Sequence, residues 1–297
     1  MDKLIHGLAA DATVRVMAAI TTDTVREAVR RHKTSPTASV ALGRTLTGTL
    51  LLGSSLKDFD RLTVKIESSG SVEGIVAEAV ADGKVRGYIK NPAADLPPKA
   101  NGSFDVAGII GKGMFYVIRE SGFDIGLHRE PYVGRVPLET GEIAEDFAYY
   151  LMKSEQIPSA VLLGTLLQPE EPFVTCAGGV MIQMLPTANP NIAVMIEDTI
   201  LHAPPLTDAI RDGAGAEDLL KMTLGIIDYE ILGEKDVRFE CNCSFERAVQ
   251  LIASLGRAEV TAMLEEDKGA TMNCGFCNNV YTLDENDLRK ILESEIV

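Results

Sequence analysis

Positive charge is what this chain has least to spare. Its 28 Lys and Arg face 43 Asp and Glu, a formal net charge of −15. Acidic residues outnumber basic ones 22 to 19 in residues 1–186, 11 to 4 in 187–240 and 10 to 5 in 241–297. Binding to nucleic acid requires a stripe of Lys and Arg that displaces counterions from phosphates. The C-terminal third offers none, which excludes DNA and RNA as partners. The one basic run, Arg30-Arg31-His32-Lys33, closes an expected helix, where cations oppose the negative end of the macrodipole.

Enzyme signatures are missing as well. The four histidines, His6, His32, His128 and His202, are scattered, and none lies in a metalloprotease spacing, so each reads as a surface or capping residue. No nucleophile elbow is present. The run Gly108-Ile-Ile-Gly111-Lys112-Gly113 lacks the four-residue spacer and following hydroxyl of a phosphate loop, so ATP is not indicated. Residues 1–20 hold no basic start followed by an unbroken apolar run, so no secretory signal and a cytosolic, thiol-reducing setting are expected. Residues 37–56 are apolar enough to suggest a membrane span of about twenty residues. Arg44 and several hydroxyls within them favour a buried helix crossing a sheet, and no membrane contact is expected.

Cysteine is sparse but placed with order. Four of the five fall as Cys241-Asn-Cys243 and Cys274-Gly-Phe-Cys277. Two tight thiolate pairs can close a tetrahedral shell around zinc, at about 2.3 Å per Zn–S bond, with no position left open for substrate. Such a centre is structural. Its thiolates are also oxidisable, and each pair is close enough in sequence to be joined as a disulfide, so the four sulfurs could hold or release the metal. Asn278-Asn279-Val280-Tyr281-Thr282 follows the CxxC as turn then strand, whereas thioredoxin-like chemistry would set that motif at a helix N-terminus. Cys176 lies in an apolar strand and reads as a small buried hydrophobe.

At 297 residues and 46% hydrophobic content, one large and one small domain are expected. Residues 1–186 read as an α+β core with a largely antiparallel sheet. Strands are expected at 14–21, 62–66, 75–80, 85–89, 114–119, 132–136, 160–167 and 173–185. Helices are expected at 24–33 behind a Thr22/Asp23 cap, at 37–56 behind Ser35-Pro36, and at 141–155 with Ile143, Phe147, Tyr150 and Leu151 on one face. Residues 187–236 read as a helical, metastable linker. Asn189-Pro190 caps its first helix, on which Ile192, Met195, Ile196, Ile200 and Ala203 share a face, and the short pieces 206–211 and 217–224 follow. Helices this short must dock on something to persist. Ile192, Met195, Ile196 and Ile200 are therefore the expected docking residues and a candidate client surface. Residues 237–297 form the small cysteine-bearing domain.

Together these features resemble the redox-regulated bacterial heat-shock chaperones called 33 kDa chaperonins. The resemblance spans the chain and includes Arg30-Arg31-His32 before Ser35-Pro36-Thr37-Ala38-Ser39, Ala41-Leu42-Gly43-Arg44, Leu62-Thr63-Val64-Lys65-Ile66, Tyr149-Tyr150-Leu151, Ser154-Glu155-Gln156-Ile157-Pro158-Ser159 and Ala177-Gly178-Gly179. It implies an ATP-independent holdase for unfolded client proteins, inactive while reduced with one zinc per chain, and active once oxidants or heat release the metal and unfold the linker. It also implies disulfides joining Cys241 to Cys243 and Cys274 to Cys277, a homodimer in the oxidised form, and transfer of clients to an ATP-driven foldase system. Two other classes stay open on the residues alone. A zinc-ribbon adaptor would bind partners in the reduced state, and a thiol-disulfide oxidoreductase would turn over through a cysteine of low pKa.

Overall fold

The computed structural model describes residues 1–57, 60–121, 130–171 and 173–293, and the chain forms two units, Met1–Glu240 and Cys241–Val297. The first unit opens with β1 (Lys3–Ala9), β2 (Val14–Ile20), α1 (Thr22–His32) and α2 (Pro36–Leu52). Next come β3 (Arg61–Ser68), β4 (Gly74–Val80), β5 (Lys84–Ile89), α3 (Val106–Ile110), β6 (Gly113–Glu120), β7 (Tyr132–Pro137) and α4 (Ala144–Tyr150). It is completed by β8 (Ser159–Leu167), β9 (Val174–Met184), α5 (Pro190–His202), α6 (Leu206–Arg211), α7 (Ala216–Leu224), β10 (Tyr229–Asp236) and β11 (Arg238–Phe239). One sheet has the order β10-β1-β2-β9-β8 and the other β11-β5-β4-β3-β6-β7. Among the described residues every pairing in these two sheets is antiparallel except β11 with β5. The α+β reading is correct.

The apolar segment after Pro36 is a buried helix. Every residue from Thr37 to Leu52 except Arg44 is buried, because α2 packs on β8 and β9 of one sheet and on β4 and β5 of the other. A helix enclosed on both sides needs no polar stripe. It stops at Leu52, with a 3₁₀ turn at Gly53–Ser55, short of the expected residue 56. Among the described residues no helix is long and apolar enough to cross a membrane.

Alternation along the five-stranded sheet divides its two faces. Leu4, Met17, Ala19 and Met181 join the core around α2. Ile5, Val16, Ala18, Val180 and Ile182 point the other way and are covered by Ile196 of α5, Leu206 and Ile210 of α6, and Leu219, Leu220 and Leu224 of α7. Residues 187–240 therefore belong to the first unit. Arg238 and Phe239 pair with Lys84 and Val85, so the chain as far as Glu240 lies with the first unit.

Local expectations are also corrected. The α1 N-terminus is capped by Asp2, whose carboxylate accepts from the backbone N–H groups of Asp23 (3.1 Å) and Thr24 (2.7 Å), rather than by Thr22/Asp23. His32 is buried instead of exposed, and His128 lies outside the described residues. The expected 141–155 helix is α-helical only over Ala144–Tyr150 and continues as a wide π turn, Leu151–Glu155. Its four apolar residues are all buried as expected.

The second unit contains α8 (Phe245–Ala253), α9 (Arg257–Ala262), β12 (Ala270–Asn273), β13 (Val280–Leu283) and α10 (Glu285–Glu293). Its core of buried side chains is small: Ala248, Ile252, Ala253, Val260, Leu283, Leu288 and Ile291.

Candidate metal centre

Two local structures present the four sulfurs. The pairing of β12 with β13 brings Asn273 opposite Val280, and the intervening Cys274 to Asn279 folds as a tight knuckle. Its backbone bonds are Cys274 N–H to Asn279 O (2.9 Å), Cys277 N–H to Cys274 O (3.3 Å) and Asn278 N–H to Cys274 O (2.8 Å). Asn278 takes the left-handed conformation, φ 61°, that closes the turn. The CxC segment leads into α8. Ser244 caps that helix through the N–H of Arg247 (3.2 Å), and the Arg247 guanidinium returns to Asn242 O (2.8 Å).

The ligand atoms of Cys241, Cys243, Cys274 and Cys277 all lie within 4.8 Å of one another. Cys241 Sγ stands 3.7 Å from Cys274 Sγ, and Cys243 Sγ 3.3 Å from Cys277 Sγ. A tetrahedron with 2.3 Å metal–sulfur bonds has edges of about 3.8 Å. The donor set and its spacing thus fit one tetrahedral ion. Cys277 is buried and the other three are half-buried, so the centre is shielded yet open to small oxidants. Cys176 is a buried thiol of the first unit whose Sγ donates to Thr207 O (3.2 Å).

Without an ion the sulfurs divide a proton unequally. Burial opposes ionisation of Cys243, but the Tyr281 hydroxyl, and after it the neighbouring thiols, donate to its sulfur and bring it down to about 7. Burial pushes the Cys277 thiol up. On a bound cation all four are thiolates. Tyr281, whose hydroxyl lies 3.0 Å from Cys243 Sγ, is the contact that sequence reading missed. Its position in the strand after the CxxC was visible, but nothing in the spacing aimed it at the other motif.

The four expected docking residues of α5 divide differently. Ile196 is buried, while Ile192 and Ile200 pack half-buried on the same core. Met195 is 39% exposed and does not belong to the docked face. Residues 192, 196 and 200 form a row four apart, and 195 sits on its flank. Val194 and Leu201 are exposed too.

The family model described as "Hsp33 protein" matches residues 2–284. A 33 kDa chaperonin of Clostridium botulinum (strain 657 / Type Ba4) is 42% identical over 295 residues, covering 99% of this chain and 98% of that protein. One from Acetivibrio thermocellus is 41% identical over 298 aligned positions, covering 99% of each. The crystal structure of the 33 kDa chaperonin from Thermotoga maritima superposes with a TM-score of 0.89 at 34% identity, covering 98% of this chain and 97% of that one.

Proposed function

This chain belongs to the Hsp33 family, and from that premise we propose that it is a redox-regulated holding chaperone. It binds unfolding client proteins without ATP, stays inactive while reduced and zinc-bound, and becomes active on oxidation. The observation that carries the reading is a four-sulfur cluster in a unit whose hydrophobic core, among the described residues, is a cluster of seven buried side chains. So small a core is marginal alone. Zinc on four thiolates contributes roughly 10 to 16 kcal/mol of apparent folding free energy.

Cys241, Cys243, Cys274 and Cys277 hold the ion in the reduced state, and their conversion to disulfides removes the ligands. Bridges between Cys241 and Cys243, and between Cys274 and Cys277, close loops of a few residues and restrain the unfolded chain little. They do not replace a link between the two motifs. The chain reaches Cys241 directly from Glu240, whose N–H bonds Val85 O (3.0 Å) and whose carboxylate pairs with Lys84 (2.9 Å). Loss of order at 241 thus acts on β11 and β10 through the backbone. In this division 1–186 is the core, 187–236 the metastable linker and 237–297 the switch. Release of α5–α7 uncovers Ile5, Val16, Ala18, Val180 and Ile182, an apolar sheet face suited to unfolded chains. The acidic excess of the linker opposes its return.

We place the protein in the cytoplasm, as a homodimer when oxidised, passing clients to an ATP-driven foldase system. The test is light scattering of a thermally aggregating client. Peroxide-treated protein suppresses the scattering and the reduced, zinc-loaded protein does not. Equal suppression by both forms would replace the switch with a constitutive binder.

A further inference from the structure

The Tyr281 hydroxyl donates to Cys243 Sγ at 3.0 Å. Tyr281 lies on β13 opposite Met272 of β12. The register of a hairpin that leads out of the CxxC knuckle therefore aims a phenol at a sulfur of the CxC motif. The contact bridges the two halves of the centre independently of any metal bond.

Electrostatics gives it a role. Four thiolates on a divalent cation leave a net charge of −2, in a segment where acidic residues already outnumber basic ones 10 to 5. A hydrogen bond to a thiolate withdraws electron density from sulfur, so it relieves this excess and blunts the sulfur as a nucleophile. We infer that Tyr281 is a positioning residue of the redox centre, whose hydroxyl holds Cys243 toward the metal and slows attack by electrophilic oxidants. The inference rests on the reading of the four sulfurs as a metal centre. In the reaction it restrains, two thiolates surrender two electrons to hydrogen peroxide. One S–S bond forms as the O–O bond breaks, and two hydroxide ions leave.

The experiment compares the full-length wild type with Tyr281→Phe, which keeps the ring and removes the hydroxyl. Cobalt(II) loading reports geometry and electronics separately. The d–d bands of a tetrahedral tetrathiolate are expected unchanged, while the sulfur-to-cobalt charge-transfer band moves to lower energy as the sulfur becomes richer in electrons. Zinc affinity, from competition with a chromophoric chelator, is expected to fall 10- to 100-fold, the usual effect of losing a partner that orients a ligand. Zinc release by peroxide is expected to be several-fold faster. A variant with wild-type charge-transfer energy and zinc affinity would overturn the inference. Loss of the d–d bands would also overturn it, because the ring would then be acting through packing. A wild-type chain that took up neither ion would sink the metal reading itself, and this inference with it.

Discussion

Arg44 is the only charged side chain in α2, and it is legible in the sequence as the residue that keeps this helix out of a membrane. Its partner is not. Glu142 accepts from Arg44 at 2.8 Å and from Lys99 at 2.6 Å, across 98 and 43 residues of chain. Burial pushes the Glu142 carboxyl up, but Lys99 and Arg44 outweigh it and hold it below its ordinary 4.5. A carboxylate with a depressed folded-state pKa adds stability that is present above 4.5 and lost as pH falls through the folded value. Glu142→Gln should therefore destabilise the protein by about 1 kcal/mol at pH 7, a figure discounted for partial exposure. In urea titrations the difference from wild type should shrink as pH is lowered through 4.5, and a pH-independent difference would exclude the ion pairs as its source. Residue-scale legibility follows from this contrast. Ligand cysteines must be close in sequence to turn two sulfurs to one point, so their spacing announces them. Asp2, Glu142 and Tyr281 work through partners delivered by tertiary folding, and sequence spacing says nothing of them.

At the scale of elements, most strands and helices with alternating or periodic apolar residues could be read, but β1 went unread despite its apolar residues, and β10 could not be read. Glu230, Glu234, Lys235 and Asp236 hide it, because its place is fixed by pairing with β1 at the sheet edge rather than by a buried face. The docking of α5–α7 was legible as a need, from helices too short to stand alone. Its details were not. Glycines paired across the sheet, Gly164 and Gly178, provide the seat of α6. A Cβ on the first would stand 2.6 Å from Thr207 Cγ2, and one on the second 2.7 Å from Ile210 Cδ1. Met195, expected on the docked face from helical spacing, is 39% exposed, whereas Ile196 is 3% exposed. An unpaired carboxylate at Ile196 would cost several kcal/mol if it stayed buried, more than a marginal helix gains by docking. The Ile196→Glu variant is expected to suppress client aggregation while still reduced and fully zinc-loaded, with α5 open to protease. Met195→Glu should behave as wild type in both assays. Activity from Met195→Glu, or none from Ile196→Glu with α5 demonstrably cleaved, would remove the covered sheet face from the client surface.

At the scale of the whole molecule, the order of events on oxidation decides which sulfurs join. In the folded unit Cys243 Sγ stands 3.3 Å from Cys277 Sγ, and Cys241 Sγ 3.7 Å from Cys274 Sγ. Bridges formed before unfolding would thus cross between the motifs and preserve the link that the metal had made. Once the unit has opened, loop closure favours the nearest thiol in sequence, since its cost rises with separation. The near-neighbour bridges required by the proposed function then follow only if the knuckle opens before the second sulfur of each pair reacts. That sequence is expected, because a core of seven buried side chains cannot retain its fold after an ion contributing roughly 10 kcal/mol or more has left. Peptide mapping after brief peroxide treatment should give Cys241 joined to Cys243 and Cys274 joined to Cys277, with Cys176 still a thiol. The bridge within Cys241-Asn-Cys243, strained by its short loop, should be the first reduced by dithiothreitol. Chelating the metal from the reduced protein should unfold residues 241–297 without any disulfide, seen as lost amide protection in that segment. A dominant Cys243–Cys277 bridge, with amide protection there retained, would mean that oxidation precedes unfolding. The switch would then lock the second unit closed, and the holding activity would need another trigger.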